Sequence, residues 1–271
     1  MSTVRPAAVA GYFYPAEAGA LARNVSALLA GARPVVGATT APKAIIVPHA
    51  GYVYSGPVAA RAYAALQCAR DRIRRVVLLG PTHRVPVRGL AVPAAVAFAS
   101  PLGIVPLDRD AIAGLADLPQ VVVSDRVHAD EHSLEVHLPF LQRVVAEFRL
   151  VPLAVGHASP AEVAEVLDRL WGGTDTLIVV SSDLSHYLPY AVARDVDRQT
   201  VDAILHLDAV LDHEQACGGT AVNGLLLAAR RRELQPRLLD LRNSGDTAGD
   251  RNRVVGYCSI AFDEALHHDD A

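Results

Sequence analysis

Four stretches of the chain are apolar at consecutive positions rather than at alternate ones: Ala44–Val47, Val76–Leu79, Leu150–Val155 and Leu177–Val180. Runs this short, apolar on both faces, predict strands of a sheet that is covered on both sides. Between them apolar positions recur at helical spacing. Leu21, Val25, Leu28 and Leu29 predict a helix over Pro15–Ala30, and the next helix is expected over Pro57–Cys68, with proline in its first turn. Further helices are expected over Asp108–Asp117, over most of His128–Phe148 with a kink at Pro139, over Ala161–Trp171 behind the cap Ser159-Pro160, and over Ala191–Leu205, Leu207–Gln215 and Thr220–Arg232. Ala7–Tyr14 reads as an extended lead-in and Gly31–Pro42 as a loop. Prolines break Gly89–Gly103 into short edge or hairpin strands, and two strands, near Pro236–Leu241 and Arg253–Phe262, close the chain around the loop NSGDTAGD.

This alternation predicts an α/β protein: a three-layer α/β/α sandwich with a largely parallel or mixed central sheet. At 271 residues, about half of them apolar, the chain reads as one domain, with a disordered tail after about Leu266.

The net charge of -4 and the lack of a basic stretch interleaved with aromatics argue against nucleic acid. Arg70–Arg75 and Arg230–Arg232 fit solvated helix ends. Three widely spaced cysteines, Cys68, Cys217 and Cys258, make no disulfide framework. No signal-peptide pattern or long apolar run is present, so a soluble, cytoplasmic protein is expected.

Histidine placement adds chemistry. His49 follows the first strand in IIVPHAGYVYSG, His83 the second in VVLLGPTH, and His186 the fourth in LIVVSSDLSH. In open α/β sheets ligands sit beyond the carboxyl ends of parallel strands, so neighbouring strands would turn these histidines towards one pocket. Tyr54 and Ser55 are candidate wall residues for substrate, and Asp183 can orient an imidazole or take its proton. Cys217, ahead of Gly218-Gly219 and a helix, can ligate a soft metal, act as a nucleophile or be redox active, with a helix terminus favouring its thiolate. In the segment DEHSLEVH, Glu131 and His132 can contact substrate or orient a ligand imidazole. His128-Ala129-Asp130-Glu131-His132 matches the H-x-x-E-H protease pattern only formally, because His128 precedes the expected helix. No phosphate loop or GxGxxG follows any strand, so no nucleotide cofactor is expected.

Together IIVPHAGYVYSG, LLGPTHRVP, DEHSLEVHLPF, VVSSDLSHY and the Cys217-Gly218 helix start strongly resemble the Memo family, known in bacteria and archaea as AmmeMemoRadiSam system protein B. The likeness runs from AGYFYPA to the last strand. It implies the fold of class III extradiol dioxygenases, which hold Fe(II) on two histidines and a carboxylate. By that resemblance His49 and His83 are metal ligands, Cys217 stands where the carboxylate would be, and His186 is the acid/base group. Iron or copper is the implied metal, zinc being compatible, in a dioxygenase-like oxidoreductase. The family name implies radical-SAM and AMMECR-like partners. Eukaryotic relatives imply a different use, as an adaptor whose pocket takes a peptide or phosphotyrosine-like anion.

Overall fold

The computed structural model describes residues 3–32 and 40–265. Residues 33–39 of the loop predicted over Gly31–Pro42, and the tail from 266, lie outside the described residues. In chain order the elements are β1 (Val4–Arg5), α1 (Ala18–Gly31), β2 (Ala44–Val47), α2 (Tyr52–Ala64), β3 (Arg75–Pro81), β4 (Leu90–Val92), β5 (Ala97–Ser100), β6 (Gly103–Pro106) and α3 (Arg109–Ala113). They continue with β7 (Val121–Val123), α4 (Asp125–Ala129), α5 (Leu138–Val144), β8 (Arg149–Val155), α6 (Pro160–Leu170), β9 (Thr176–Ser181), β10 (His186–Leu188), α7 (Tyr190–Leu205), α8 (Gly219–Arg231), β11 (Gln235–Asn243) and β12 (Val254–Asp263).

Among the described residues nine strands form a mixed sheet in the order β10-β12-β2-β9-β3-β8-β4-β7, with β11 also on β12. Its centre, β2-β9-β3-β8, is parallel. β12 runs antiparallel to β2, and β4 antiparallel to β8. The four central strands are buried along nearly their whole length. Each large aliphatic side chain among them, Ile45, Ile46, Leu78 and Leu79 for example, contributes about 1.5–3 kcal/mol by leaving water. One helical layer is α1, α2 and α5, with α2 on β2 and β12. The other is α6 and α8, with α8 on β3 and β9, and α7 covers β11 and β12. This is the three-layer sandwich expected.

Three local expectations give way to tertiary contacts. The long helix over His128–Phe148 is broken into α4, a 3-10 turn at Glu135–His137, and α5. Its backbone groups are spent elsewhere: Arg5 takes the carbonyls of His128 and Glu131, and the Glu131 carboxylate takes the N–H groups of His132 and Ser133. Pro139 therefore opens α5, where its missing N–H costs nothing, instead of kinking a longer helix. Leu207–Gln215 is not helical. The Asn223 side chain bonds both the N–H and C=O of Leu211, and Asp212 takes the N–H groups of Glu214 and Gln215. Helix α2 starts at Tyr52 rather than Pro57, which then lies inside it; Val53, whose carbonyl loses its helical donor, is at the solvent surface.

Candidate metal centre

β9 lies between β2 and β3, and Val47 is level with Ser181. Adjacent strands are about 4.8 Å apart, so the loops that leave them start side by side. His49 and Asp183, each two residues past these paired positions, meet there: the His49 N–H donates to Asp183 Oδ1 at 2.7 Å. Beyond the end of β3, His83 brings its ring centroid to 5.2 Å from that of His49. From the far side Cys217, just before α8, places Sγ 3.3 Å from His49 Nε2. Gly218 permits this, because a Cβ there would stand 2.5 Å from Ser181 O and 2.8 Å from Ser182 Cβ.

His49, His83 and Cys217 offer donor atoms that all lie within 4.8 Å of one another, and this group can hold a metal ion. Ligand bonds of about 2.0–2.3 Å to a tetrahedral ion put donor atoms some 3.3–3.7 Å apart. The His49–Cys217 pair already has that spacing, and a small inward shift of His83 completes it. His83 Nδ1 lies 2.9 Å from Glu131 Oε1, which fits a proton on Nδ1; in the neutral ring that a metal requires, Nε2 is then the bare nitrogen.

Glu131 is almost fully buried and accepts four N–H groups, from His83 N, His83 Nδ1, His132 N and Ser133 N. A carboxylate has about four acceptor sites. Three of these donors converge on Oε1 and one, the His83 backbone N–H, on Oε2, so Glu131 backs the His83 imidazole through Oε1. With His83 and His132 it forms a second group whose donor atoms lie within 4.8 Å of one another. Burial pushes its pKa up, but the His83 contacts prevail and hold it down at about 2.

The other pocket imidazoles are kept neutral. Burial, helped by neighbouring histidines, holds His49 well below 6.5, His132 at about 4 and His137 at about 3. Asp183 moves the other way, burial raising it to about 7. Cys217 is raised to about 12 by burial and by Asp183, so desolvation outweighs the helix-terminus effect expected from the sequence, and the metal-free side chain is a thiol.

The remaining candidates surround this trio. The His132 ring stacks on His83 at 4.6 Å, and Phe13 packs on it at 4.7 Å. His186 begins β10, half-buried, and burial lowers its pKa. Asp183 meets His49, with Oδ2 3.9 Å from Nε2, and its Oδ1 takes the His49 N–H rather than the His186 ring. Tyr54 is 39% exposed in the first turn of α2, whereas Ser55 is buried with its hydroxyl on Ala50 O. Patterning alone does not single out Ser181, Ser133 or Phe13. The one signal for Ser181 is a hydroxyl ending an apolar strand, a buried group that must find a partner. Within the acidic histidine segment, Glu135 serves the fold: it accepts Arg5 Nη1, the N–H groups of Ala8 and Val9, and Tyr14 Oη, which straps the N-terminal segment down.

A three-layer sandwich with two imidazoles and a thiol gathered beyond its central parallel strands defines a class of α/β proteins with a potential metal pocket at the strand ends. The chain belongs to the Memo-like protein family, whose model matches residues 5–261. A MEMO1 family protein of Aquifex aeolicus is 37% identical over 272 residues, spanning 96% of this chain and 99% of that protein. A MEMO1 family protein of Methanosarcina barkeri is 36% identical, spanning 95% and 99%. One of Methanothermobacter thermautotrophicus is 34% identical, spanning 95% and 100%. Among the described residues no helix is long and apolar enough to cross a membrane.

Proposed function

We propose that the protein is a metal-dependent redox enzyme, dioxygenase-like in its site, whose iron or copper ion is held by His49, His83 and Cys217. The observation that carries this reading is the convergence of those three donors within 4.8 Å, two imidazoles and a thiol. Thiolate and imidazole suit copper and iron, and also zinc, better than magnesium or calcium. Bound there, iron or copper would supply a redox-active centre with a coordination position left open to a small-molecule or peptide substrate. Asp183, poised near neutrality, can hold a proton at Oδ2 beside His49, and His186 handles protons at the outer edge of the pocket. Glu131 orients His83, while His132 and Tyr54 contact substrate.

Use of the pocket by an anionic ligand finds less support. His49, His132 and His137 are neutral at physiological pH, and the carboxyls of Glu131 and Asp183 share the same wall. Anaerobic reconstitution with Fe(II) or Cu(I) tests the proposal, comparing metal stoichiometry and redox turnover in wild type and Cys217→Ser. One ion per chain in wild type and less in the variant are expected; no ion above background in wild type refutes it.

A further inference from the structure

Ser181 ends β9 fully buried, and its single hydroxyl proton is committed. Oγ donates to the Ser133 carbonyl at 2.7 Å, a contact whose direction is fixed because a carbonyl oxygen has no proton to give. The other contact of that oxygen, 2.6 Å to His49 Nδ1, therefore runs the opposite way, with Nδ1–H as donor. A neutral imidazole carries one ring proton. His49 Nε2, which faces Cys217 Sγ at 3.3 Å, is thus left bare.

We propose that Ser181 is a positioning residue that selects the metal-binding tautomer of His49 before any ion arrives. The assignment rests on the metal-centre reading above for its purpose, though not for its geometry. An alternative tautomer is available: once Nδ1 has lost its acceptor, a proton on Nε2 finds Cys217 Sγ at 3.3 Å, with the Asp183 carboxyl further off at 3.9 Å. A proton on Nε2 would point at Cys217 and occupy the lone pair an ion needs. The pocket also backs its two imidazoles unequally. His83 leans on a carboxylate and His49 on a neutral hydroxyl, which makes His83 the stronger donor and leaves the His49 arm dependent on Ser181 for its tautomer.

The test is long-range 1H–15N correlation spectroscopy of the metal-free protein at neutral pH, with Zn(II) titration as a probe free of redox chemistry. Wild type is expected to show His49 protonated at Nδ1 and bare at Nε2. Ser181→Ala is expected to move the proton to Nε2 and to weaken Zn(II) binding roughly 10- to 100-fold, the usual range for such backing residues. Ser181→Thr, which keeps the hydroxyl, should restore both. A wild-type spectrum with the proton on Nε2 overturns the proposal whether or not the variants fold, as does a folded Ser181→Ala with wild-type tautomer and affinity. A wild type with bare Nε2 that takes up no ion refutes the metal reading instead, and the tautomer assignment stands on the spectrum.

Discussion

Replacing Glu131 by Gln removes one charge while keeping the shape of a group that accepts four N–H donors. The amide has a single acceptor oxygen, and even with that oxygen at the Oε1 position its NH2 would meet the His83 backbone N–H aimed at Oε2. The magnitude follows from the ionisation of Glu131, held at about 2 against an ordinary 4.5. At 1.36 kcal/mol per pKa unit the folded site favours the carboxylate over a neutral group by roughly 3 kcal/mol. Because the folded pKa is depressed, that stabilisation is present above pH 4.5 and is lost as pH falls towards 2. Wild type should therefore exceed Glu131→Gln by roughly 3 kcal/mol at pH 7, about 1 M in urea midpoint for a slope near 3 kcal/mol/M. At pH 3.5 the gap should shrink by about 1 kcal/mol, since the wild type has begun to lose its advantage and the variant has none to lose. Urea unfolding followed by circular dichroism at the two pH values measures both quantities. An unchanged midpoint at pH 7, or a gap that is the same at pH 3.5, refutes the account of Glu131 as an ionised acceptor of four donors.

Asp197, buried on α7 with the Ser185 N–H on Oδ1, gives the opposite sign: burial raises it to about 6, so its ionisation costs stability as pH rises from about 4 to 6. Asp197→Asn should gain up to about 3 kcal/mol relative to wild type between pH 4 and pH 7, and a gain independent of pH in calorimetry would contradict this. Arg5→Ala leaves Glu135 buried without its cation and should cost about 3–5 kcal/mol, read as a fall in Tm; a fall of only a degree or two would show the pair to be dispensable. Gly80→Ala would put a Cβ 2.9 Å from both Leu134 Cδ2 and Ser133 Oγ, so about 1–3 kcal/mol of stability should be lost along with metal affinity. Full stability and affinity in that variant would refute the close approach. With its thiol raised to about 12, Cys217 is roughly one part in ten thousand thiolate at pH 8, and iodoacetamide should label exposed Cys68 first in the metal-free protein. Equal labelling of the two by mass spectrometry contradicts that.

The histidine strand ends are legible in the sequence because a β-strand buried on both faces is apolar at every position, and the first polar residues after it must lie at the sheet edge. Apolar patterning alone thus places His49 and His83 beyond β2 and β3. It cannot separate the residues of the segment from Glu131 to His137, because helical spacing is blind to which backbone groups have partners elsewhere. Glu131 goes to His83, Ser133 to Ser181 and Pro81, and Glu135 to Arg5 and the N-terminal strap, so the helix that the apolar positions predict does not form.

By itself the sequence determined the layers, the central strands and the side chains that reach their carboxyl ends, since those follow from local apolar patterning. Only the tertiary structure decided that β9 lies between β2 and β3, that Cys217 comes back from 168 residues away to His49, and that Ser181 and Glu131 take up the two Nδ1 protons. The reason is physical. Patterning reports how much of a residue is buried, whereas the state of a donor atom depends on the one hydrogen-bond partner it meets, and that partner is supplied by a distant part of the chain.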